Sequence, residues 1–346
     1  VDGVTASRPR RALGGLAAIA LLPAFFVSLC GCEREADLRV PYIPPALANW
    51  PQPYRGVAGL TAHVFNTGYV RAPEALIVQG GSLMRMRDLA VPAVVIAHPK
   101  HGLILFNTGL RPEKDKGAWP SGWMRVVGVD VRPGTDLKSQ METAGLKPDA
   151  VRWIVLSSLR FDRAGEVESF PHARVVTTKA EREYASEQSR SYAPDLVDDV
   201  AEWKLVDFAS TGGLGTFPTH VDLLGDGSCL LLDATGSTGG ALAMVVRLAG
   251  RPLVLADGLA SIEEQVRYAV RPAAAYDMRQ WWDHIWRLKR FKDLVPDLVV
   301  LPGHDLRPLL ALHHPNIVVH EISPPPEATM PAPTPNLLER VIPKPW

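Results

Sequence analysis

The sequence predicts an α/β protein in which two mixed β-sheets lie face to face between outer layers of helix, a four-layer αββα sandwich. Three observations lead there. Short apolar and β-branched runs come in pairs around tight-turn signals, stretches with helical periodicity separate those pairs, and 47% of the 346 residues are hydrophobic, ample for one large core.

Residues 94–97 and 103–106 flank His98, Pro99, Lys100, His101 and Gly102, the pattern of a hairpin. Residues 137–144 carry a helical period, and 153–156 form a short buried strand. Residues 175–178 form another, followed by a helix through Glu181 and Tyr184. Residues 221–233 read as a hairpin turning at Gly225, Asp226 and Gly227; 244–248 and 253–256 make a second around Gly250. A long amphipathic helix covers about residues 278–291, and 298–301 form a last strand. In that helix Trp281, Trp282 and Trp286 stand among Arg279, Arg287, Lys289 and Arg290. Such a helix can lie on a membrane, but packing on a sheet gives the same pattern and is the reading preferred.

The ends differ from this middle. Arg8, Arg10 and Arg11 precede an apolar run at 12–29, and Leu29, Cys30, Gly31 and Cys32 follow. Residues 1–31 are therefore expected to be a signal peptide whose end resembles a bacterial lipobox, with Cys32 lipidated; an uncleaved membrane anchor is the alternative. Glu33, where aspartate usually marks inner-membrane retention, suggests anchoring in the outer membrane facing the periplasm. Residues 32–59 read as a proline-rich tether, 60–322 as the folded domain and 323–346 as a proline-rich tail. Cys229 would then be the one cysteine left in the domain, so no intramolecular disulfide is expected, and its apolar neighbours make it a buried small hydrophobe. Lys plus Arg equals Asp plus Glu at 37 each, which gives no argument for a nucleic-acid partner.

The segment with most chemical content is SSLRFDRAG, residues 157–165. It resembles the THLHFDHAG metal-binding loop of the metallo-β-lactamase superfamily, with Ser158, Arg160 and Arg163 at the histidine positions and Asp162 matching the aspartate. Other segments are similar to that family in the same order. GLILFNTGL (102–110) has Asn107 where Asp-Thr-Gly is usual, and FPHARVVTTKAE (170–181) resembles the acyl-homoserine-lactone lactonase branch. DLLGDGSCLLLDATGSTGG (222–240) places Ser237 at a histidine. LVLADG (253–258) places Asp257 at the metal-bridging aspartate, and LPGHD (301–305) keeps His304.

The resemblance implies the metallo-β-lactamase sandwich and a two-zinc hydrolase centre, from which Asp162, Asp257 and His304 survive. The positions of one metal, Ser158, Arg160 and Ser237, have all lost their ligands. Serine is a poor zinc ligand at neutral pH, and a guanidinium has no lone pair to offer. The expectation is a protein without two-zinc hydrolysis and without a bound cofactor, in which Arg160 and Arg163 supply the positive charge beside Asp162 and Asp257. Its old pocket would hold a small-molecule or protein ligand. One alternative is a lactonase-like or esterase-like hydrolase with a single zinc ion on Asp162, Asp257 and His304. A second is a metal-free serine hydrolase using Ser237 or Ser158 with His304. His98, His101, His313, His314 and His320 match no common zinc spacing, and His172 and His220 occupy no ligand position. Gly212, Gly213 and Gly215 read as a loop rather than a phosphate cradle.

Overall fold

A computed structural model describes residues 44–111, 127–187, 192, 197–209 and 211–320 of the chain. The expected signal peptide, Cys32, the first part of the tether, the domain boundary at residue 322 and the proline-rich tail lie outside those residues.

Strands β1 (Thr61–Pro73), β2 (Met86–His98), β3 (Gly102–Phe106), β4 (Gly128–Asp130), β5 (Val151–Val155), β6 (Arg174–Thr178) and β7 (Trp203–Val206) belong to one sheet. A second sheet contains β8 (His220–Asp222), β9 (Cys229–Asp233), β10 (Leu242–Val246), β11 (Leu253–Leu255) and β12 (Val299–Leu301). Strand β13 (Ile317–Val319) pairs parallel to β1 at the edge of the first sheet. That sheet runs β13-β1-β2-β3-β5-β6-β7, with β4 also on β1. It is antiparallel through β1, β2 and β3 and parallel from β3 to β7. The second sheet is antiparallel from β8 to β11, and β12 joins β11 in parallel. All three hairpins expected from sequence are present.

Period-two alternation decides which side chains meet. Ile104 and Phe106 of β3, Val155 of β5 and Val176 of β6 join Leu231, Met244, Val246, Leu253 and Leu255 in the core between the sheets. Leu105, Ile154 and Val175 face the other way, onto Leu137 and Met141 of helix α1 (Leu137–Thr143). The remaining helices are α2 (Lys179–Glu187), α3 (Glu263–Tyr268), α4 (Met278–Leu294) and α5 (Arg307–Leu310). Asp277 starts α4 by accepting the Arg279 and Gln280 N–H groups at 2.8 and 3.0 Å. Trp281, Trp282 and Trp286 are buried, which settles that helix as a packing element.

Strand β1 and the first half of β2 were not expected. Asn66, Thr67 and Gly68 interrupt the apolar run of β1, and the pairing register shifts between Asn66 and Tyr69. Pro92 lies opposite Asn66 at that irregularity, a place where a strand tolerates proline. Turn residues that usually end a strand here mark a bulge inside one.

Candidate functional site

The loops after β3, β5, β11 and β12 meet at one end of the sandwich, and the sequence-predicted residues meet with them. Asn107 follows β3 in the left-handed region, φ 59°, a conformation asparagine adopts more readily than most residues. Its Oδ1 accepts the Ser157 N–H at 2.9 Å, and its Nδ2 donates to Asp257 Oδ2 at 2.9 Å. Asp257 Oδ2 also accepts from Ser157 Oγ at 2.5 Å and from Arg163 Nε. Gly303 makes room for this carboxylate, since a Cβ there would overlap Asp257 Oδ1.

Arg163 is buried at the centre. Nη2 donates to Asp257 Oδ1 at 2.7 Å and to His304 Nε2 at 2.8 Å. Nη1 donates to Asp162 Oδ2 at 2.9 Å and approaches the Asp162 carbonyl at 3.3 Å. A guanidinium has five N–H groups, and all five here point at an acceptor. Burial pushes the Asp257 carboxyl up, but the charge and bonds of Arg163 outweigh it and hold the group below the usual carboxylate range. Burial, reinforced by the Arg163 charge, holds His304 down to about 4. His304 is therefore neutral, its Nδ1–H donating to the Ala90 carbonyl at 2.8 Å and its Nε2 lone pair turned inward. Asp162 keeps one buried oxygen, Oδ1, without a protein partner.

Other predicted residues stand elsewhere. Arg160 is exposed and takes no part in the ion pairs of Asp162 or Asp257, so the expectation of two arginines at the centre is corrected to one. Its carbonyl instead accepts the N–H groups of Arg163 and Ala164 at 2.9 and 3.0 Å. Arg163 alone reaches both carboxylates, and a second buried guanidinium would lose its hydration with only Asp162 Oδ1 left to accept from it. Ser237 Oγ donates to the Gly258 carbonyl at 2.8 Å, and no hydrogen bond joins Ser237 or Ser158 to His304 among the described residues. With the His304 lone pair already engaged by Arg163, neither serine has the base that the serine-hydrolase alternative needs.

Three functional positions escaped sequence reasoning. Ser157, not Ser158, holds Asp257, and alternation from inward-facing Val155 would have singled it out. Glu181, fully buried on α2, accepts from Leu159 N at 3.0 Å, Thr238 Oγ1 at 2.6 Å and Gly240 N at 3.2 Å, tying the SSLRFDRAG loop to the Ser237 loop. Glu166 accepts the Leu137 and Lys138 N–H groups at the start of α1 at 2.7 and 3.2 Å.

At the opposite end of the sandwich His98, His101 and Asp226 converge, a grouping the spacing did not show. Asp226 Oδ2 lies 3.1 Å from His98 Nε2 and 3.5 Å from His101 Nε2. These are metal-ligating residue types, but His98 Nδ1 accepts the N–H groups of Lys100 and His101 at 3.0 and 3.2 Å. A neutral imidazole accepting at Nδ1 carries its proton on Nε2. His98 as placed therefore turns an N–H, not a lone pair, toward Asp226, and a metal there would need the ring to turn.

The sequence matches no protein-family model. The N-acyl homoserine lactonase AiiB of Agrobacterium fabrum is 26% identical over 269 residues, 70% of this chain and 92% of that protein. AiiB of Rhizobium rhizogenes gives the same figures. A solved N-acyl homoserine lactone hydrolase, with N-hexanoyl-L-homoserine at its catalytic metal centre, superposes with a TM-score of 0.62 at 17% identity, over 73% of this chain and 96% of that one. The chain has the metallo-β-lactamase fold. A probable metal-dependent hydrolase from Staphylococcus aureus shares it, with a TM-score of 0.58 at 14% identity over 71% of this chain and 89% of that one.

Proposed function

We propose that this chain is a lactonase-like metallo-β-lactamase-fold protein whose centre is organised by arginine instead of metal, and that it binds a ligand or partner without two-zinc hydrolysis. The observation that carries this reading is the simultaneous contact of Arg163 with Asp162, Asp257 and His304. His304 has the tautomer of a metal-ligating histidine, Nδ1–H on a backbone carbonyl and Nε2 free to coordinate. That lone pair accepts from a guanidinium instead. A divalent ion about 4 Å from the guanidinium would be repelled by several kcal/mol even at an effective dielectric of about 20. With Arg163 in place, the residues do not fit a metal. Two carboxylates and one guanidinium also leave the centre negative, the wrong sign to stabilise the oxyanion of ester hydrolysis.

The likeness to lactonases favours a second reading, a hydrolase of lactone or ester bonds that uses a single metal ion. One experiment separates the two. Full-length protein in nonionic detergent is analysed for metal and assayed for lactone hydrolysis before and after chelation, beside Arg163→His, Asp257→Asn and His101→Ala. The arginine reading expects no stoichiometric zinc and no chelator-sensitive turnover in the wild type, and about one zinc gained in Arg163→His, whose new imidazole completes a ligand set with Asp162, Asp257 and His304. Wild-type zinc lost in Asp257→Asn would establish the single-metal centre. Zinc lost only in His101→Ala would put the metal at the opposite end. Lipid attachment at Cys32 and outer-membrane localisation belong to the same proposal; fatty-acid labelling in cells, abolished by Cys32→Ser, is the expected result.

A further inference from the structure

Beside His98 and Asp226 the first sheet carries a groove of about 480 Å³, within the roughly 300–1,000 Å³ of small-molecule sites. Lys100, His101, Arg152, His172 and Arg174 line it, with Glu202 as its one acid. In a chain of zero net charge this is a local concentration of positive charge in a concave surface. Arg174 is held in place rather than waving in solvent, its guanidinium stacked 4.9 Å above the Trp153 ring and one nitrogen paired with Glu202. Its Nε is buried and has no partner, and Arg152 and Lys100 are exposed.

We propose that this groove binds a phosphate group, carried by a soluble phosphate ester or by a phospholipid headgroup. Phosphate is the oxyanion that planar guanidinium donors and a lysine point charge recognise together, and the volume leaves space for the organic part of an ester. The site is separate from the Arg163 centre. It lies at the starts of β3, β5 and β6, whereas Asn107 and Ser157 follow the ends of β3 and β5. Five residues at about 3.3 Å rise place the two roughly 17 Å apart. Neither site shares a residue with the other, so the arginine reading can fail while this one stands.

The test uses the full chain in nonionic detergent, titrated calorimetrically with sn-glycerol 3-phosphate at low and high salt. Saturable binding is expected, weakened about tenfold by Arg152→Ala and by Arg174→Ala and unchanged by Arg279→Ala, an exposed arginine on α4. Arg152 is exposed, so its variant keeps the test valid even if loss of the Arg174–Trp153 stack disturbs folding. Displacement of the ester by micelles containing phosphatidylglycerol, but not by phosphatidylcholine alone, assigns the phosphate to a lipid headgroup; no displacement assigns it to a soluble ester. Absence of saturable binding, or equal weakening by Arg279→Ala, overturns the proposal.

Discussion

Arg163 owes its position to the two carboxylates it faces, and Asp257 owes its ionisation to Arg163. Because Asp257 titrates below its usual range in the folded protein, it contributes stability above the ordinary carboxylate pKa of about 3.9, and that contribution is lost as pH falls through the depressed value. Arg163→Met reverses the sign. Two buried carboxylates without a counter-ion are pushed up, so the variant loses stability as pH rises past about 4. At pH 7 the expected cost is about 3–5 kcal/mol, and urea melts across that range should show the gap between wild type and variant widening with pH. Asn107 fits the same logic. An amide donates to Asp257 Oδ2 where an aspartate would add a second negative charge. Asn107→Asp should therefore destabilise by about 1–3 kcal/mol at neutral pH. Its deficit should shrink on acidification.

The centre depends on how its loops are tied to the elements behind them, and two buried glutamates do this. Burial pushes the Glu166 carboxyl up to about 8, with Asp136 adding to the effect. It still accepts the first N–H groups of α1, and Thr108 Oγ1 accepts the N–H of Glu166 itself at 3.0 Å. A raised carboxyl stabilises fully below its unfolded pKa, near 4.5, and loses that contribution as pH rises toward the folded value. Glu166→Gln keeps an acceptor for the helix and removes the titration. Its thermal melting should vary less than that of wild type between about pH 5 and 8. Glu181 has no such substitute, since its carboxylate receives donors from two loops at once. Glu181→Ala leaves Leu159 N, Thr238 Oγ1 and Gly240 N unsatisfied and should cost about 3 kcal/mol or more. Amide exchange should show both loops opening together.

At the scale of the whole molecule the sandwich was legible because alternation and turn chemistry are local, and each hairpin announces itself within a dozen residues. The first strand was not, because Asn66, Gly68 and Pro92 carry a bulge whose partner lies across the sheet. The centre was legible in part for a related reason. A motif fixes which residues arrive at a loop, so Arg163, Asp162, Asp257, Asn107 and His304 could be placed together. Which of two arginines turns inward depends on the geometry of one turn, and the convergence of His98, His101 and Asp226 depends on two hairpins from different sheets. The Arg163–Asp257 pair also joins the two sheets, one residue following β5 and the other β11, so its energy belongs to the docking of both halves. Replacing Asp257 alone by asparagine leaves Arg163 balanced by Asp162, whereas replacing Arg163 alone leaves two like charges buried. A double-mutant cycle of Arg163→Met and Asp257→Asn should therefore be non-additive by about 1–3 kcal/mol, the double variant being more stable than the sum of the singles predicts. Equilibrium denaturation of the four proteins measures this directly, and additive effects would mean that the guanidinium and the carboxylate do not hold the sheets together.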